Sequence, residues 1–174
     1  MTPVKSRARS NAQDALIAIG FTSGLGSIAC SVLSANDGEY ESLWSEVLSG
    51  PRQKRGVSHH RRYKAHRLMF EIFFDRWPPA VIALGPPAAK DEPLEWVIFM
   101  RTAMFELGKS VGVPVICFED DASIARALAP DAPRAGLKGL IRQNLPGFAS
   151  NKRRTILSTG SAMAGAVKIA STLP

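Results

Sequence analysis

The sequence predicts a mixed α/β domain, a five-stranded sheet of three antiparallel strands followed by parallel additions, with helices on both faces. Two observations lead there. Near the start of the chain, apolar runs of strand length flank an Asn36-Asp37-Gly38 turn signal, which marks a hairpin because those residues tolerate positive φ. Further along, short apolar runs alternate with helix-length segments, and strand–helix–strand units add parallel strands by right-handed crossovers.

Taken in order, residues 1–13 are small, polar and basic (Lys5, Arg7, Arg9) and predict a disordered arm, leaving 14–174 as a single domain. Residues 15–21 form a continuous apolar run, read as a strand buried on both faces, and 22–26 supply turn residues. A second strand is expected over 27–33. A third, over 40–48, alternates, with Leu43 facing one way and Trp44 the other. Ser58 is placed to cap a helix to Arg76 with Ala65, Leu68, Met69, Ile72 and Phe73 at core spacing, and Pro78 and Pro79 stop it. A fourth strand follows over 80–84. Asp91, Glu92 and Pro93 suit the opening of a helix running to about Lys109, apolar on most sides and therefore expected to be largely buried. Gly112 ends it, and 113–118 is a fifth strand. Short helices are expected over 123–128 and 137–143, then a last helix capped by Ser150 or Asn151 and reaching about Thr172.

Composition narrows the function classes. Hydrophobic residues at 45% and charged residues at 21% describe an ordinary globular chain, whereas the net charge of +7 favours a polyanionic partner. Cys30 and Cys117 sit in apolar runs and read as buried free thiols of a reducing compartment. With no secretory signal and no apolar run of about 18 residues, an intracellular, cytoplasmic protein without membrane association is expected.

The basic residues are concentrated. Between Ser49 and Phe70 there is no acid, but there are Arg52, Lys54, Arg55, Arg61, Arg62, Lys64, Arg67 and all three histidines. Lys152, Arg153 and Arg154 form a second acid-free cluster. Both sets are candidate phosphate contacts, the bland alternative being solvated charge. His59, His60 and His66 lie among cations with no nearby cysteine or carboxylate, which disfavours a metal site. Glu119-Asp120-Asp121 follows the fifth strand, where ligands bind in open α/β sheets. A displaced metal site completed by Asp75 or Asp91 is one reading of it, a cap for the helix that follows, from Asp120 or Asp121, is the other. Gly20, Gly24 and Gly26 match neither the dinucleotide fingerprint nor the phosphate-binding loop, so a turn accounts for them. Without a histidine outside the basic segment, a serine–histidine hydrolase is disfavoured.

Several stretches carry a resemblance to a known family. Residues 17–24 with Val32-Leu33, the Trp77-Pro78-Pro79 run into 80–84, Val111-Gly112-Val113-Pro114-Val115 and the small-residue run 162–170 resemble the RuvC-like Holliday-junction resolvases of the ribonuclease H-like superfamily. The resemblance implies a homodimer or larger assembly and nucleic acid as partner, DNA ahead of RNA. It also implies two divalent metals held by carboxylates on the first strand, the end of the fourth strand and the last helix. Here those positions fall on Gly20 or Phe21, Leu84 or Gly85, and Ala162 and Gly165, none of them a carboxylate. The expectation is therefore a nucleic-acid-binding domain with no catalytic residues, metal or cofactor. The alternatives are a metal-dependent nuclease using Glu119, Asp120 and Asp121, and an assembly protein of a nucleoprotein complex.

Overall fold

A computed structural model describes residues 15–24, 27–49, 59–89, 94–131 and 136–172. Strands β1 (Leu16–Gly24), β2 (Ser27–Asn36) and β3 (Glu39–Ser49) form an antiparallel meander. Then come α1 (His59–Arg76), β4 (Val81–Leu84), α2 (Leu94–Val111), β5 (Val115–Cys117), α3 (Asp121–Leu128), α4 (Leu137–Asn144) and α5 (Arg153–Ala170). The sheet order is β3-β2-β1-β4-β5, with β4 parallel to both β1 and β5, as the element order predicted. Asp37 and Gly38 both have positive φ (48° and 82°), the requirement of a two-residue type I′ hairpin turn, and Gly112 ends α2 at φ 71°.

Alternation along the strands sorts the core into two layers. Ala18, Leu33, Val81 and Ala83 face Ile124, Leu137, Ile141, Leu157 and Met163 of α3, α4 and α5. Ile19, Phe21, Cys30, Val32, Ile82 and Leu84 face Phe70 and Phe74 of α1 and Met100, Met104 and Leu107 of α2. Phe73 of α1 stacks on Trp77 and meets Trp44 of β3 at 4.5 Å, which ties the end of α1 to the edge strand.

Four expectations are corrected. Thr22, Ser23 and Gly24 are not turn residues. They continue β1 and pair with Ala29, Ile28 and Ser27, because the ladder to β2 satisfies their backbone groups. α2 is not largely buried. Val97, Met100, Ala103, Met104 and Leu107 face the sheet, but Ile98 and Phe105 are exposed, since a helix lying on a sheet buries only one stripe. Similarly, Leu68 and Ile72, assigned to the core of α1, point to solvent while Phe70 and Phe74 point inward. Neither Ser150 nor Asn151 caps α5. Lys152 holds that position without a side-chain cap, Asn151 instead accepts a hydrogen bond from Lys138, and Ser150 Oγ accepts one from the Lys152 N–H. The 1–13 arm, the Ser58 cap and the Asp91-Glu92-Pro93 opening lie outside the described residues.

Helix α5 lies unusually close to the sheet. Residues 157–166 are buried without interruption, and all but Leu157 and Met163 are Ser, Thr, Gly or Ala. A Cβ at Gly20 would lie 1.9 Å from the Ser158 carbonyl oxygen and 2.7 Å from the Ala162 nitrogen; one at Gly165 would lie 2.9 Å from the Ala83 Cβ. Backbone on both sides leaves the Gly20 position no means of relaxing. Gly20→Ala is therefore expected to destabilise the fold by about 3 kcal/mol. Gly139→Ala, in α4 with nothing within 4 Å of the added carbon, should gain up to ~1 kcal/mol. Urea unfolding of both variants checks the pair, and a neutral Gly20→Ala would contradict the close approach.

Candidate nucleic-acid interface

The helix that carries the described part of the first basic cluster and the helix that carries the second both start at one end of the sheet. Gly24 pairs with Ser27, and Ser27 pairs with Ser49, so β1 and β3 finish side by side. Arg154, in the first turn of α5, donates to Ser27 Oγ at that same end. On the other face, Ala80, just beyond α1, donates its N–H to Ile17 at the opposite end of β1, whereas Phe70 packs edge-on against Phe21. Going back along α1 thus leads toward the Gly24 end. The chain leaves β3 there at Ser49, and α1 and α5 start there from opposite faces.

The individual residues fare differently. Arg52, Lys54 and Arg55 lie outside the described residues, as do the side chains of Arg61 and Arg62 in the first turn of α1. Lys64 is exposed, and Arg67 Nε donates to Glu71 at 2.8 Å one helical turn on. Lys152, Arg153 and Arg154 line a surface groove of about 390 Å³ with Val47, Ala88 and Ala89. Lys152 also borders a wider groove of about 770 Å³ between β3 and the segment 145–155, with Glu41 and Glu46 on its far side. The cluster is acid-free in sequence but not in space, because Arg153 makes two hydrogen bonds of 3.1 Å to the two carboxylate oxygens of Asp121.

The acidic cluster has other duties. Asp120 accepts from the Ser123 N–H at 2.7 Å in a capping box, and that bond holds its carboxyl below the usual carboxylate range. Asp121 is paired with Arg153, and Glu119 is exposed. Asp75 lies on the exposed face of α1, and Asp91 is outside the described residues. Among the described residues no three His, Cys, Asp or Glu side chains converge. Both cysteines are free, as predicted, but only Cys30 is fully buried, Cys117 being half-buried; burial pushes each thiol's pKa up, which makes neither a ready nucleophile.

Beneath the grooves lies a group of side chains that the sequence reading did not single out. Phe21 points toward α1, so the β1 side chain facing α5 at the strand's end is Thr22. On α5 the residue at this level is Ser161; Ser158 and Ala162 sit against Gly20, and Gly165 lies further down over Val81 and Ala83. A Cβ at Gly85 would come within 2.6 Å of both Thr22 Oγ1 and Ser161 Oγ, so the two hydroxyls converge on that glycine. They are 1% and 0% exposed, and neither has a hydrogen-bond partner among the described residues. The 85–89 segment closes over them, with the Gly85 N–H bonded to Phe21 and the Ala88 N–H to Ser23. Adjacent to them, Ser31 Oγ meets Ser158 Oγ at 2.8 Å, Thr159 Oγ1 at 2.9 Å and Ser45 Oγ at 3.0 Å, which exhausts its one donor and two acceptors. Polar residues inside the buried stripe of α5 were the missed signal.

Neutral hydroxyls do not fit a divalent metal pair, which needs charged oxygen ligands. They do have a stability signature. Ser31→Ala is expected to cost about 1–2 kcal/mol, since it takes a hydrogen-bond partner from the buried Ser158 and Thr159 hydroxyls, whereas Thr22→Val should be neutral or mildly stabilising. Thermal unfolding measures both. A substantial loss for Thr22→Val would show that its hydroxyl has a partner after all.

No protein-family model matches the chain, nor does any curated protein. Solved structures do. The Thermus thermophilus RuvC structure aligns with a TM-score of 0.73 at 16% identity, covering 90% of this chain and 96% of that one. T. thermophilus RuvC in complex with a Holliday junction substrate aligns at 0.70 and 15%, covering 90% and 97%. The yeast mitochondrial Holliday junction resolvase Ydc2 aligns at 0.56 and 10%, covering 86% and 78%. The five-stranded mixed sheet, its strand order and these alignments give the chain a RuvC-like fold of the ribonuclease H-like type.

Proposed function

We propose that this protein binds nucleic acid, DNA in preference to RNA, through the sheet end where α1 and α5 begin, and does not cleave it. The observation that carries this reading is the pairing of a basic rim with a sealed, carboxylate-free interior. Thr22, Gly85 and Ser161 stand where β1, β4 and α5 meet, and offer neither charge for a metal nor a path for water. Above them Lys152 and Arg153 face solvent while Arg154 is half-buried against Ser27, and Arg61, Arg62, Lys64 and Arg67 belong to the helix that starts at the same end. The bound Holliday junction of one fold relative makes a branched DNA the first substrate to try. The displaced acidic nuclease is disfavoured by the employment of Asp120 as a cap and of Asp121 as an ion-pair partner.

Dimerisation belongs to the same reading. Leu68 (62% exposed), Ile72 (61%), Ile98 (56%) and Phe105 (49%) lie on the outer faces of α1 and α2, which cover one side of the sheet. Among the described residues, the exposed charges of these two helices are balanced: Lys64, Arg67, Arg76 and Lys109 against Glu71, Asp75, Glu95 and Glu106. An apolar centre with mixed charge at its rim suits a second copy of itself better than a polyanion.

Fluorescence anisotropy with four-way junction, duplex and single-stranded DNA and RNA across a salt series tests the binding, with a parallel gel in Mg²⁺ and Mn²⁺. Salt-steep binding with intact product is expected, and Lys152→Ala should lower the salt slope by about 1. Cleaved product, or no binding at low salt, overturns the proposal. Sedimentation velocity tests the dimer: wild type is expected to be dimeric and Ile72→Glu/Phe105→Glu a folded monomer. A monomeric wild type at tens of micromolar would sink that part.

A further inference from the structure

We infer that Asp121 is a built-in competitor for the phosphate site of Arg153, so that this position of the nucleic-acid surface is latched in the free protein. The inference rests on the binding reading above and adds a specific residue that opposes it. The geometry is the argument. Arg153 Nη1 and Nη2 each donate to one oxygen of the Asp121 carboxylate, both at 3.1 Å, the fork arrangement in which a guanidinium also holds two oxygens of a phosphate. The two partners are held by different elements: Arg153 opens α5 and Asp121 opens α3, 32 residues apart in sequence. The pair forms at the rim, with the side chains 59% and 44% exposed, so an incoming backbone can reach the guanidinium once the carboxylate yields.

The neighbours do not share this arrangement. Arg154 is committed to Ser27 Oγ beneath the rim, and Lys152 is exposed at the foot of α5. Asp121 lines a groove with Glu119, Asp120, Arg153 and the 86–89 segment, so the latch also sets a boundary between the basic rim and an acidic wall. An exposed pair of this kind is weak enough to exchange, being screened and entropically costly, and strong enough to impose a measurable penalty on whatever displaces it. Nucleic acid with a phosphate fixed at this point bears that penalty. Nucleic acid held only through Lys152 and α1 does not.

The test is a mutant cycle read by anisotropy with labelled duplex and four-way junction DNA. Its members are wild type, Asp121→Asn, Arg153→Ala, the double variant, and Glu119→Gln as a control of equal charge change on the same wall. Asp121→Asn is expected to tighten binding about fivefold and steepen the salt slope by about 1, because one more phosphate is neutralised. Glu119→Gln should tighten it less, through general charge alone. Arg153→Ala should weaken wild-type binding only by the general effect of one lost charge, comparable in size to that of Glu119→Gln, and in the double variant it should reduce the gain of Asp121→Asn to that same general effect. Equal effects of Asp121→Asn and Glu119→Gln, or a gain that survives Arg153→Ala undiminished, would overturn the latch while leaving nucleic-acid binding intact. Failure of every variant to bind DNA, with each folded by circular dichroism, would overturn the binding reading itself. Asp120, which caps α3, is left unaltered so that the helix stays in place.

Discussion

The approach of α5 to β1 constrains more of this molecule than any other contact. Backbone meets backbone at Gly20, where a single added carbon would overlap the Ser158 carbonyl. Distance then dictates composition. Only Ser, Thr, Gly and Ala fit along most of the buried stretch of α5, with Leu157 and Met163 reaching into the adjoining layer. Large apolar side chains are consequently displaced to the other face, where Phe21, Phe70 and Phe74 and the methionines of α2 fill the wider space between sheet and helices. Close packing on one side thus goes with a thick aromatic layer on the other.

The same closeness governs the chemistry available at the strand ends. Side chains short enough for this interface are methyls or hydroxyls, and a hydroxyl buried among its own kind must share donors and acceptors. Ser31 reaches a full complement with Ser45, Ser158 and Thr159; Thr22 and Ser161 do not find partners among the described residues. A carboxylate there would need both volume and a counter-charge, and the Gly85 side offers neither, since its missing Cβ is the only reason the two hydroxyls can converge. The proposed function, binding at the rim without reaction in the interior, follows from this packing and not from the fold, which does not by itself determine function.

Much of the architecture was legible in the sequence because local signals and the global pattern agreed. Asp37-Gly38 fixed the hairpin, Pro78-Pro79 the end of α1, Gly112 the end of α2, and Asp120 the cap of α3. The misreadings share a cause: each depended on a partner distant in sequence. Thr22 to Gly24 look like turn residues until β2 supplies their ladder. The apolar character of α2 says nothing about how wide a stripe the sheet can cover, so Ile98 and Phe105 were assigned inward. In α5 the small-residue run fits several registers, and only its contacts with the sheet fix which one is used: Ser158 and Ala162 lie against Gly20, Ser161 reaches the level of Thr22, and Gly165 lies over Ala83.

Charge shows the limit of linear reading most plainly. A run without acids is a statement about neighbours along the chain, whereas the field that a polyanion meets depends on neighbours in space. Arg153 lies in an acid-free run and yet holds a carboxylate 32 residues away, and Arg67 meets Glu71 where its acid-free segment has just ended. The net charge of +7 is unaltered by such pairing, but its distribution is not. Paired cations contribute less to long-range attraction than to positioning, because a competitor must first be displaced. In the proposed binding mode, the exposed Lys152 and Lys64 draw a nucleic acid in, while Arg153 helps to set where along the surface its backbone comes to rest.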